Sequence, residues 1–201
     1  WRFLKTERPE WVDLRFEVEE GQTGNLLFGG GINSTVLHYE SNDQDLVDGE
    51  VVCIDSGAFH NGYGADISRT IPVSGTFSKR QKEIYEIVLR AEETTIAAVK
   101  PGVTFAELDA IARAIIEKAG FGDFFIHGIG HHLGLETHDD CGPDAPLVKG
   151  SVITIEPGIY LPDEAIGVRI EDDILVTAKG RKNLSAAIPK TVAEIQKAMR
   201  R

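Results

Sequence analysis

With 201 residues, 42% hydrophobic and 26% charged, the chain is long enough for one domain with a real core and has an ordinary globular composition. A net charge of −11 argues against nucleic acid or an anionic membrane as the main partner. No apolar run approaches the roughly 20 residues of a membrane span. Cys53 and Cys141 have no CxxC spacing and read as free thiols of a reducing compartment, so a cytoplasmic location is expected. The first residues, W-R-F-L-K-T-E-R, lack the apolar stretch of a signal peptide. The chain opens on Trp1 rather than Met, so a piece of a longer chain is expected.

Trp11, Leu14 and Val18 space a helical stripe over residues 8–20, with Gly21 as its stop. Residues 26–40 predict a glycine turn followed by a short apolar strand. Residues 46–59 predict a turn and a buried strand carrying Asp55, and residues 63–73 a second strand carrying Asp66. Gly62 between them predicts a hairpin. Ser78 with Gln81, and Thr104 with Glu107, are capping boxes that start two helices. The first buries Ile84, Ile87, Val88, Ala91 and Ile96 and ends at Lys100-Pro101-Gly102. The second buries Leu108, Ile111, Ala112 and Ile115 and stops at Gly120. The stretch Ile126–Asp139 holds four of the six histidines, His127, His131, His132 and His138, and such tracts often mean metal. Residues 147–160 and 167–177 give further strands, and a short helix, Val192 to Met199, closes the chain.

The chain repeats itself. Residues 147–160, L-V-K-G-S-V-I-T-I-E-P-G-I-Y, match residues 46–59, L-V-D-G-E-V-V-C-I-D-S-G-A-F, at an offset of 101, which sets Glu156 where Asp55 stands. His38 precedes the first segment much as His138 precedes the second. Asp66 and Gly75 lie 105 residues before Glu171 and Gly180. Two similar αβ halves follow, each giving two acids on strands. The fold class expected is α+β, with a curved, mainly antiparallel sheet and helices outside.

Acids inside apolar strands need cations or hydrogen-bond donors. Alone, each of Asp55, Asp66, Glu156 and Glu171 would pass for a salt bridge or a cap; as a set gathered about a two-fold they call for more. Four carboxylates and one imidazole suit two divalent metals, with Mn²⁺ or Co²⁺ favoured by the oxygen-rich ligands and Zn²⁺ or Fe²⁺ also compatible. Spacing alone does not choose His131 over His132. Such a pair of cations binds a bridging water, lowers its pKa and polarises a carbonyl, which equips a site for amide hydrolysis.

The motifs I-D-S-G (54–57), Y-G-A-D-I-S-R-T (63–70), H-G-I-G-H-H-L-G-L-E-T-H-D (127–139), I-E-P-G-I-Y (155–160) and G-V-R-I-E-D-D (167–173) closely resemble the pita-bread metallopeptidases, in their Xaa-Pro aminopeptidase and prolidase branch. The likeness runs from about residue 33 to the end. It implies a pita-bread fold and two divalent cations, Mn²⁺ first among them. It implies that Asp55, Asp66, His131, Glu156 and Glu171 are the ligands, with Asp66 and Glu171 bridging. It further implies that Glu156 shuttles the proton of an attacking water that bridges the metals. His138 would stabilise the tetrahedral intermediate, His38 and His127 would line the substrate pocket, and Arg169 would stand beside the metals. His60 and His132 match no family role. Family chains carry a further first helix and a separate N-terminal domain, so residues 1–201 are expected to form one catalytic domain lacking both, and the full-length form a homo-oligomer.

The expected activity is hydrolysis of the N-terminal bond of a peptide with proline at its second position. A dipeptidase of the prolidase type is the nearest rival. A metal-free creatinase-like enzyme, or a binding module on the same fold, is a third reading. Relatives of that kind lack the ligands present here.

Overall fold

A computed structural model describes residues 46–139 and 145–200, together with the backbone of three strands nearer the N-terminus. Those are β1 (Arg2–Lys5), β2 (Val12–Arg15) and β3 (Leu26–Ile32). The chain continues through β4 (Val51–His60), β5 (Tyr63–Pro72), α1 (Lys79–Ala98) and α2 (Phe105–Lys118). It then forms β6 (His132–Leu133), β7 (Val152–Ile155), β8 (Gly158–Leu161), β9 (Ile166–Arg169), β10 (Asp172–Thr177), β11 (Gly180–Asn183) and α3 (Val192–Ala198). All strand pairs are antiparallel, in the orders β1-β2, β3-β4-β5, β11-β10-β7-β6 and β8-β9.

Two expectations near the N-terminus fail. Val12–Arg15 pairs with Arg2–Lys5 as strand rather than continuing a helix; V-D-L-R also alternates apolar and polar, and that period of two prevails. Gly29 to Gly31 are not a turn but lie inside β3, opposite Asp55, Ile54 and Cys53. His38 and Cys141 lie outside the described residues.

Elsewhere local chemistry and structure agree. Asn61 and Gly62 both have positive φ, 51° and 84°, which is the two-residue turn whose twist matches the flanking strands. Both capping boxes form, at Ser78 and at Thr104. Helix α1 buries Ile84, Ile87, Val88, Ala91 and Ile96 against α2 and against β7, β8 and β9. On α2 the buried seam is Leu108, Ala112 and Ile116, while Ile111 and Ile115 are half-buried. Steps of four place the seam's centre one residue beyond where a three-four reading put it. Full burial of each such aliphatic side chain stabilises by about 1.5–3 kcal/mol.

The duplication is visible in the ladders. In the first hairpin Asp55 faces Ser68. In the second, Ile155 faces Asp172 and Gly158 faces Arg169, so counting through the gap between them sets Glu156 across from Glu171. The gap falls at Pro157, which has no N–H to donate. The β8–β9 connection, residues 162–165, is two residues longer than Asn61-Gly62. The second strands are therefore offset by 103, not 105, and the counterpart of Glu171 is Ser68 rather than Asp66. Segments 66–70 and 169–173 run side by side in opposite directions. Asp66 N–H donates to the Asp173 carboxylate at 3.3 Å, Glu171 N–H to Ser68 O at 3.0 Å, and Arg169 N–H to Thr70 Oγ1 at 3.1 Å. These contacts repeat about a two-fold axis that passes between Ser68 and Glu171.

On the far side of these strands lies a second buried polar cluster. Arg69 donates to Asp172 at 2.5 Å and to the Glu171 carbonyl at 2.6 Å. Lys190 Nζ meets Asp172 at 2.8 Å and both Glu92 oxygens at 2.8 and 2.9 Å. This cluster ties the segment before α3 to α1 and β10. No helix among the described residues is long and apolar enough to cross a membrane.

Candidate metal centre

Each candidate side chain is aimed by a local feature. Asp55 stands on β4 and Asp66 on β5, where Asp66 faces Gly57. A Cβ on Gly57 would overlap the Ala65 carbonyl oxygen, so glycine lets the strands close at this point. Residues 129–133 lie along β7: Glu156 N–H donates to Ile129 O at 2.8 Å and Thr154 N–H to His131 O at 2.9 Å. His131 N–H returns a bond to Thr154 Oγ1 at 3.0 Å. Gly130 permits the approach, since a Cβ there would meet the Thr154 carbonyl. Upstream, α2 holds the stretch through Arg113, which donates to Phe125 O at 2.9 Å and His127 O at 2.8 Å.

Asp55, Asp66, His127, His131, His138, Glu156, Arg169 and Glu171 all line one cavity of about 430 Å³. Of the predicted site residues only His38 is not placed. One ligand atom each from Asp66, His131 and Glu171 lies within 4.8 Å of the others. His131 Nε2 is 3.7 Å from Asp66 Oδ2 and 3.5 Å from Glu156 Oε1. Arg169 Nη2 donates to Asp55 Oδ2 at 2.7 Å. The His138 ring lies 4.1 Å from that of His131, and His127 Nε2 meets the Tyr160 hydroxyl at 3.0 Å.

The charges here are under strain. Burial, then the charge of Asp55, pushes the Asp66 carboxyl up to about 8. Burial raises Glu156 to about 7, with Asp55 adding to the rise and Arg169 opposing it. Glu171 is pushed well above the carboxylate range by burial, then by Glu156 and Asp66. Burial also lowers His131, which favours its neutral form. A carbonyl can only accept, so the His131 ring nitrogen 3.0 Å from His132 O, Nδ1, carries the hydrogen. The lone pair of neutral Nε2 then faces carboxylate oxygens. With these acids ionised, the opposed electron pairs fit a cation between them.

Sequence patterns did not reveal three supporting groups. Ser68 bonds Glu171, Tyr160 bonds His127, and Thr154 bonds both His131 and Glu156, the last at 3.2 Å. All three stand within or beside the quoted motifs, but a hydroxyl's partner cannot be read from spacing. His132 packs edge-on against Phe105, ring centroids 5.2 Å apart, and His60 is exposed; neither lines the cavity.

Antiparallel hairpins repeated about an axis, helices outside and buried carboxylates beside an imidazole define a protein of the pita-bread metallopeptidase class. Residues 14–178 match metallopeptidase family M24, and the chain belongs to that family. It is 40% identical over 205 residues to a Xaa-Pro aminopeptidase of Haemophilus influenzae, covering 87% of this chain and 48% of that protein. It is 47% identical over 176 residues to a Xaa-Pro dipeptidase of Pyrococcus furiosus, covering 86% of this chain and 50% of that protein. Among solved structures, aminopeptidase P of E. coli with the inhibitor Pro-Leu superposes with a TM-score of 0.79 at 36% identity, over 87% of this chain and 47% of that one. The chain thus spans about half the length of the relatives it matches.

Proposed function

We propose that the chain is the catalytic part of a metallopeptidase that cleaves the bond between an N-terminal residue and a following proline. The observation that carries this reading is the His131 Nε2 lone pair set 3.5 and 3.7 Å from the oxygens of Glu156 and Asp66. Asp55, Asp66, His131, Glu156 and Glu171 would hold two divalent cations, and the oxygen-rich set favours Mn²⁺. Bound there, the cations supply Lewis acidity and a water of lowered pKa.

The chain's own groups do the rest. Glu156, on the cavity wall, takes a proton from the attacking water and returns it to the leaving proline nitrogen. His138, beside His131, donates to the oxyanion that develops on the scissile carbonyl. His127, fixed by Tyr160, lines the substrate side, and Arg169 holds Asp55. The inhibitor of the E. coli relative, Pro-Leu, has the form of the fragment that would leave Xaa-Pro-Leu.

The test is a peptide-length series, Ala-Pro, Ala-Pro-Leu and longer, assayed with Mn²⁺, Co²⁺ and Zn²⁺. Release of alanine from the tripeptide and longer peptides is expected. Cleavage of the dipeptide alone would replace this reading with a dipeptidase, which the Pyrococcus likeness favours. No cleavage, with less than about one Mn²⁺ bound per chain against the pair expected of a two-metal site, would move it to the metal-free class.

A further inference from the structure

Ser68 is fully buried on β5, 0% exposed, and its hydroxyl has two partners. It lies 2.7 Å from Glu171 Oε2 and 2.8 Å from Arg169 Nε. The guanidinium N–H can only donate, so the serine oxygen accepts there and its single proton is directed at Glu171. Arg169 carries the network onward, to Asp55 Oδ2 at 2.7 Å and to the Tyr160 hydroxyl at 3.3 Å. One hydroxyl therefore stands between an acid of the second half and the cation that holds an acid of the first. Its place is also singular in the fold: Ser68 and Glu171 are counterparts, facing each other across the two-fold.

Resting on the metal reading above, we infer that Ser68 is a positioning residue that sets the orientation of Glu171 and thereby its approach to Asp66 and His131. The simpler alternative is a core serine that merely satisfies neighbouring groups. The two differ in what they predict for metal binding. Hydrogen-bonding partners of ligands typically contribute about 10–100-fold to metal affinity, whereas a packing serine contributes to stability alone.

The experiment is calorimetric titration of the metal-free chain with Mn²⁺, with the electron paramagnetic resonance spectrum of the loaded protein. For Ser68→Ala the expected result is Mn²⁺ affinity weakened by about 10–100-fold and a reduced signal from spin-coupled neighbouring ions. Ser68→Thr, which keeps the hydroxyl, restores both. If Ser68→Ala does not fold, Ser68→Cys takes its place, being close in size and a poor donor. Unchanged Mn²⁺ affinity and spectrum in the folded variant, whatever its melting temperature, overturns the inference and leaves the metal reading standing. Absence of Mn²⁺ binding by the unsubstituted chain overturns both.

Discussion

Two buried acidic clusters lie on opposite faces of the same strands. On the cavity face Asp55, Asp66, Glu156 and Glu171 stand, among the described residues, with one guanidinium, that of Arg169, which pairs with Asp55. On the other face Asp172 and Glu92 meet two cations, Arg69 and Lys190. Strand alternation makes this possible, because Glu171 and Asp172 are neighbours that point apart. Behind the strands Asp172 finds both its cations within the chain, while Glu92 beside it is raised to about 8 by burial and by the charge of Asp172. Burial alone would raise the Asp172 carboxyl, yet Arg69 and Lys190 hold it well below the usual range. In front, burial and mutual repulsion raise three of the four acids. Asp172 has two cations to itself, whereas among the described residues the four front acids have one guanidinium between them, which supports the proposed cations.

That contrast can be broken at several points. The largest effect is expected from Glu156→Gln, which removes the proposed proton carrier. Turnover of Ala-Pro-Leu should fall by about 10²–10⁴-fold, with the unfolding midpoint of the metal-free chain little changed. A variant within threefold of the parent in kcat would take Glu156 out of that role. Next comes Lys190→Met at the back. It takes from Asp172, 0% exposed, one of its two cations, and breaking a buried pair in this way costs about 3–5 kcal/mol. Urea denaturation should show that loss. A stability within 1 kcal/mol of the parent, roughly the worth of a surface pair, would mean that the back cluster is not held by Lys190.

The smallest effect, counted per pH unit, is one of titration. Burial, then the charge of Asp172, raises the Glu92 carboxyl to about 8, whereas in the unfolded chain it titrates near its ordinary value of about 4.3. Between those values the folded chain keeps a proton that the unfolded chain has lost. The contribution of Glu92 to stability therefore falls as pH rises through that window, by at most about 1.4 kcal/mol per unit, and is constant outside it. Glu92→Gln cannot titrate, so its stability should decline less between pH 5 and 8. Equal slopes for the two proteins, measured by urea denaturation across that range, would refute this account of Glu92.

The cavity face was largely legible in the sequence, and the back was not. An acid between Val, Ile and Gly in a strand, as at Asp55, stands out because burial there is costly. Glu92 sits in a helix beside Glu93 and reads as a solvated face; only the return of Lys190, 98 residues on, shows that it is buried. Capping boxes and the Asn61-Gly62 turn are local codes and were read correctly. The partner of Ser68 is a long-range fact and was missed. The offset of 105 at Asp66 paired two acids by type, whereas backbone pairing follows chain length through the turns. The N-terminal strands show the limit of periodicity in a short stretch, where V-D-L-R fits either period.

The axis between Ser68 and Glu171 has a consequence for how such a site can be built at all. In a dimer of identical halves, whatever residue lies on the axis meets a copy of itself. Two glutamates there would oppose like charges at hydrogen-bond range, and two serines would offer no carboxylate. Joining the halves in one chain lets the two positions differ, one becoming the acid and the other its donor. A single covalent connection thus gives the centre a left and a right, as a reaction with distinct attacking and leaving atoms requires.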